Sequence, residues 1–130
     1  MKETAISVNK HIYQLLTSDR ELMRLTKKNV FPLVAEESVT YPFVIFTKEQ
    51  AQGNYTKDLL CYDSATISVA VVASNYFETV LIAERVRTIL ENRRDAYFMN
   101  ITFDSISEDF IEDAFVQELT INAKIIITEN

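Results

Sequence analysis

The chain has 130 residues, room for a single domain (1–130), because one hydrophobic core commonly serves about 100–150 residues. Hydrophobic side chains make up 48% and charged ones 25%, a mix that excludes intrinsic disorder, since enough apolar surface is available to offset chain entropy. Thirteen Lys and Arg against nineteen Asp and Glu leave a net charge of −6, the wrong sign for affinity based on neutralising phosphates.

The charge is uneven. Residues 1–94 hold 12 basic and 11 acidic groups, whereas 95–130 hold one basic group, Lys124, and eight acidic ones. One end of the fold is therefore expected to be anionic. No apolar run is long enough to cross a bilayer and the start is polar, so neither a membrane span nor a signal peptide is expected. The single Cys61 cannot form an internal disulfide, which fits a cytoplasmic origin.

From Glu3 to Leu16, the residues Ala5, Val8, Ile12, Leu15 and Leu16 recur three or four apart and predict a helix with one apolar stripe. Ser18 with Glu21 has capping-box spacing and predicts a short second helix carrying Leu22, Met23 and Leu25. It must end before Phe31-Pro32, because proline lacks a donor and disfavours helix in the preceding residue. Asn29 to Tyr41 reads as an irregular crossing. Phe43-Val44-Ile45-Phe46 is β-branched and aromatic, suits a strand buried on both faces, and runs to about Lys48. Glu49 to Asp63 holds the one glycine, Gly53, beside Asn54, and reads as a turn or protruding hairpin bearing Tyr55, Leu59, Leu60 and Tyr62. Those apolar side chains require a covering surface.

A second strand starts at Ala65, with Ala65, Ile67, Val69 and Val71 inward and Thr66, Ser68, Ala70 and Val72 outward. Asn75 and Glu78 have capping spacing before a long helix, about Tyr76 to Arg93, with Ile82, Ala83, Val86, Ile89 and Leu90 on its apolar face and Glu84, Arg87 and Glu91 on the other. Met99, Ile101 and Phe103 alternate as a third strand, and Phe115, Leu119, Ile121, Ala123, Ile125 and Ile127 as a long fourth. The sum is an α+β domain: an about four-stranded, mainly antiparallel sheet with helices packed on one face.

Site chemistry is scarce. His11, the one histidine, reads as a surface or boundary side chain of the first helix. No serine stands in a G-x-S-x-G elbow, and one glycine forecloses a phosphate-cradling loop. One Cys and one His cannot close a zinc tetrahedron. The stretch 104–113 holds five carboxylates, Asp104, Glu108, Asp109, Glu112 and Asp113, but lacks the order and glycine of a calcium loop; it reads as a solvated connection between the third and fourth strands. No catalytic, cofactor-binding or metal residue is expected. Arg93-Arg94 complement the dipole of the long helix, with an acidic patch on a neighbouring subunit as the functional alternative.

A helical start with a leucine pair is followed by Val30-Phe31-Pro32, Thr40-Tyr41-Pro42-Phe43-Val44-Ile45, Thr56-Lys57-Asp58, Ala73-Ser74-Asn75-Tyr76, Ile82-Ala83-Glu84-Arg85-Val86-Arg87 and Glu112-Asp113-Ala114-Phe115-Val116-Gln117. This order resembles the small tail-completion proteins (tail terminator, head-tail joining) of long-tailed bacteriophages and prophages, grouped as domain of unknown function 3168. The resemblance implies a virion protein without catalysis: a homo-oligomer, typically a hexameric ring, that assembles in the bacterial cytoplasm at the head-proximal end of the virion tail. There it ends growth of the tail tube and meets a neck or head-completion protein, with DNA passing through unbound. It assigns Thr56, Lys57 and Asp58 to subunit or tail contacts. With their stranded neighbours, the expected interface is Tyr55, Thr56, Lys57, Asp58, Leu59, Leu60, Tyr62, Arg93 and Arg94. The competing readings are a small non-catalytic α+β binding or regulatory module, and a hydrolase using Glu108 or Asp109.

Overall fold

The computed structural model describes residues 3–55 and 60–126. A single 3-10 turn, Ala5–Ser7, leads into α1 (Val8–Thr17), followed by α2 (Arg20–Thr26), β1 (Val30–Pro32), β2 (Phe43–Tyr55), β3 (Leu60–Ala73), α3 (Tyr76–Leu90), β4 (Phe98–Ile111) and β5 (Ala114–Ile126). The strands form one sheet in the order β1-β2-β3-β5-β4. All neighbours pair antiparallel except β1 with β2, which are parallel.

The α+β reading holds, with five strands among the described residues rather than about four. The fifth is β1, three residues inside the segment expected to be an irregular crossing. Its register Val30↔Val44, Phe31↔Ile45 and Pro32↔Phe46 sets it on the outer side of β2. Proline is tolerated there because an edge strand has one side without ladder partners.

One face of the sheet carries the core. Val44 and Phe46 of β2, Ile67, Val69 and Val71 of β3, Ile101 of β4, and Leu119, Ile121 and Ile125 of β5 are buried against Val8, Ile12 and Leu16 of α1, Leu22 of α2, and Ile82, Val86 and Leu90 of α3. Each such side chain contributes about 1.5–3 kcal/mol by leaving water. The stripes of α1 and α3 are those read from the three-and-four spacing. The sheet's other face is not uniformly polar. Thr47, Thr66, Thr120 and Asn122 line its middle, but Phe43 and Ile45, expected to be buried, are only half-covered beside Val72, Ala70 and Val116.

Several boundaries differ for local reasons. The α2 cap is Asp19, not Ser18: the Asp19 carboxylate accepts from the Leu22 amide at 2.9 Å, while the Ser18 amide donates to Gln14 and closes α1. The α3 cap is as expected, with Asn75 Oδ1 accepting from the Glu78 amide at 3.1 Å. That helix stops at Leu90, before Arg93, because Asn92 adopts φ 63° and its amide donates to Ile101 O at 2.8 Å; a left-handed residue of this kind ends a helix. β2 and β3 run on past Lys48 and start before Ala65, with Gly53 paired to Asp63 inside the ladder and not at a turn.

The largest correction concerns the acidic stretch. Asp104, Glu108 and Asp109 are not a connection; they belong to β4, which pairs with β5 as far as Ile111↔Ala114. The turn is only Glu112-Asp113, with φ 50° and 65°, the two positive values of a tight hairpin that would ordinarily favour Asn-Gly.

Candidate interaction surfaces

Of the expected interface, Thr56, Lys57, Asp58 and Leu59 lie outside the described residues. Leu60 begins β3, opposite Tyr55. Tyr55 ends β2 with 73% of its surface exposed. Tyr62 is half-buried beneath Lys124, whose Nζ lies 5.1 Å from the ring centroid, and Asn54 ties this end of the pair together by donating to Ser64 Oγ at 2.9 Å. Arg93 sits elsewhere, in the helix layer, beside Leu15, Ser18, Asp19, Arg85 and Thr88, with Nε 3.9 Å from Asp95. Arg94 is exposed in the loop after α3. Tyr62 and Arg93 are thus on opposite sides of the sheet, and the structure does not bring them into one cluster.

His11 is the boundary residue expected. It stacks on Tyr97 with 3.6 Å between ring centroids, and its Nε2 is 3.0 Å from Glu3. Glu3 also receives Lys10, and these two partners hold its carboxyl below the ordinary carboxylate range. Tyr97 is deeply placed; burial pushes its hydroxyl far above the usual range, and that hydroxyl donates to Thr4 O at 2.6 Å. These bonds fasten the chain's start to the β4 side of the core. Among the described residues, no three His, Cys, Asp or Glu side chains converge as a metal site would require.

Two surfaces that the sequence reading passed over lie at opposite edges of the sheet. The first is where β4 ends and α3 begins. Tyr76, Phe77, Phe110 and Phe115 form a chain of rings, with centroids 5.3 Å apart for Tyr76–Phe77, 5.8 Å for Tyr76–Phe115 and 4.8 Å for Phe110–Phe115. Phe77 is 77% exposed and Phe110 56%. Glu108 fixes the chain, accepting from Tyr76 Oη at 2.5 Å and from Gln117 Nε2 at 2.6 Å; both bonds favour its ionised form and hold its carboxyl low. Exposed Glu112 and Asp113 form the hairpin turn next to the rings, whereas Asp109, opposite Val116, faces the other side of the sheet and Asp104 lies six residues back along β4 from Phe110. Beyond them, β4 is an edge strand, with one row of backbone groups not paired within the sheet.

The second surface is at the β1 edge. A groove of about 710 Å³ runs between α1 and β1, floored by Tyr13, Val30, Phe31 and Pro32 and rimmed by Lys10 and Lys28, with Glu36 as its one carboxylate. Neither surface was legible locally. Tyr76-Phe77 falls outside the apolar stripe of α3, and Phe110 is hidden among carboxylates whose density suggested a loop.

Against solved structures, this architecture is similar to a chain in the virion of a native gene transfer agent particle, at a TM-score of 0.77 and 17% identity, over 89% of this chain and 92% of that one. The two share a fold. A crystal structure from Akkermansia muciniphila is also similar, at 11% identity over 100% of this chain and 82% of the other, but its TM-score of 0.40 is too low to carry an argument. No family model matches the sequence, and no curated protein matches it.

Proposed function

We propose that this chain is a structural protein of a phage-like virion, acting as a tail-completion subunit that forms a ring at the head-proximal end of the tail tube. The observation that carries the reading is the fold likeness to a gene transfer agent virion chain over nine-tenths of both molecules. The ordered motifs resembling domain of unknown function 3168 add the finer assignment. A ring subunit works through surfaces, so the role needs no catalytic residue, cofactor or metal. Tyr55 to Tyr62, at the far end of the β2–β3 pair, is assigned to the tail tube, and Arg93-Arg94 to a second contact. Six copies, each at −6, would line a passage that DNA traverses without sticking. Assembly would take place in the bacterial cytoplasm, between the tube protein and a neck or head-completion protein.

The test is to mix purified protein with tail tubes and examine them by negative-stain electron microscopy and cosedimentation. Capped tube ends and arrested tube growth are expected; tubes that lengthen as before, with no protein at their ends, would refute the assignment. A small non-catalytic binding module is the second reading, favoured by the groove at β1. It requires a stable small oligomer, with a ligand in that groove, that ignores tubes.

A further inference from the structure

We infer that the two edges of the sheet are complementary halves of one contact: the aromatic patch around Phe77 and Phe110 of one copy seats in the groove between α1 and β1 of the next. The inference rests on the ring reading above and names its lateral interface.

Chemistry matches the two surfaces in kind. Phe77 and Phe110 are large apolar rings with 77% and 56% of their surface exposed, and each aromatic side chain has roughly 150–250 Å² to hide. The groove has an apolar floor, and its volume of about 710 Å³ falls in the range that encloses several rings. Charge matches them in sign. Glu108 and the turn carboxylates Glu112 and Asp113 lie at the patch, whereas Lys10 and Lys28 outnumber Glu36 in the lining of the groove, Lys10 being also 3.1 Å from Glu3. Desolvated rings surrounded by opposite charges are the arrangement in which a few aromatic side chains dominate binding and the rim sets orientation.

The same charges exclude the symmetric alternative. A two-fold contact of patch on patch would set one copy's carboxylates against the other's, a like-charge juxtaposition that disfavours association. Patch on groove has no such conflict. Because β1 and β4 are the opposite edges of a five-stranded sheet, roughly 19 Å apart at the usual strand spacing, the contact is head-to-tail. It repeats from copy to copy and closes as a ring when the rotation allows.

The experiment uses two variants of the full chain. Phe77→Ser with Phe110→Ser removes the patch, and Lys10→Glu with Lys28→Glu reverses the rim of the groove. All four residues are exposed, and circular dichroism melting checks that both variants fold as the wild type does. Sedimentation and tube capping are then read together. The wild type is expected to assemble and to cap tubes. Each variant alone is expected to need about tenfold or more higher concentration to do so. Mixing the two at equal amounts should yield a dimer and nothing larger, since one intact patch then meets one intact groove. Variants that assemble like the wild type overturn the interface while leaving the ring intact, as does a mixture that gives no dimer. A wild type that neither assembles nor caps tubes removes the ring reading together with this contact.

Discussion

Replacing Asp19 with Ala removes two interactions made by one carboxylate. Oδ2 accepts from the Leu22 amide at 2.9 Å and from Arg85 Nε at 2.8 Å, and Oδ1 accepts from Arg85 Nη2 at 2.5 Å. The first bond caps α2, and losing such a cap costs about 1 kcal/mol. The second is a two-pronged pair joining α2 to α3, with 17% of the Asp19 side chain and 37% of the Arg85 side chain exposed. Solvent screening limits that pair to about 0.5–1 kcal/mol despite its geometry. Asp19→Ala should therefore cost about 2 kcal/mol, or roughly 6–10 °C in melting temperature for a domain of this length. Asp19→Asn keeps a good capping acceptor but loses the charge, and should cost only the pair's share, about 0.5–1 kcal/mol.

The same carboxylate gives a pH signature. Arg85 first, and then the Leu22 amide, hold the Asp19 carboxyl below its ordinary value of 3.8. A group whose folded-state pKa is depressed stabilises the fold above its unfolded pKa, and that stabilisation fades as pH falls through the folded value. Urea unfolding of the wild type and both variants, at neutral pH and stepwise below pH 4 at fixed protein concentration, should show the wild-type advantage shrinking with acid. Equal losses for Asp19→Ala and Asp19→Asn would refute the capping share. An advantage that persists unchanged in acid would refute the charge share.

Further predictions address the core, the chain's start and the two surfaces. Phe46→Ala should cost about 3–5 kcal/mol in urea unfolding, because its side chain is wholly buried beneath α1 and tilts against Tyr13. Tyr97→Phe should cost about 1 kcal/mol by losing its bond to Thr4 O, with faster hydrogen exchange expected at the amides of residues 5–8. Glu108→Ala should lower the melting temperature, because it leaves the nearly buried Gln117 amide without its acceptor; an unchanged melting curve would argue against that bond. Deleting Gln52 to Leu60 removes the ladder pairs from Gln52↔Ser64 to Tyr55↔Leu60 but none of the described core side chains, so it should lower the melting temperature, keep unfolding cooperative and abolish tube capping; preserved capping would release that segment from the tail contact.

The helices were legible because their burial follows a period that is local in the chain. Val8, Ile12 and Leu16, and Ile82, Val86 and Leu90, are buried together for the reason their spacing states: residues three and four apart share a face. The strands of β3 and β5 were legible by the same argument with a period of two. Their ends were not, because the length of a strand is decided by its partner. Asp104 to Ile111 holds carboxylates at a density that suggests solvent, yet the long β5 offers a ladder, and pairing with it satisfies backbone groups that a loop would leave to water. Val30-Phe31-Pro32 became a strand because β2 passes beside it, a fact no window of three residues contains.

By itself, then, the chain's order of residues determined an acidic α+β domain with one apolar face per helix, and a single Cys and a single His, too few to close a zinc tetrahedron. Tertiary structure alone decided which surfaces remain sticky. Phe77 and Phe110 are 33 residues apart, and Tyr13 and Phe31 belong to different elements; only the docking of α3 on β4–β5 and the pairing of β1 with β2 gather them at opposite edges. Periodicity reports which side chains leave water within an element, whereas the ones left exposed depend on where neighbouring elements stop covering them.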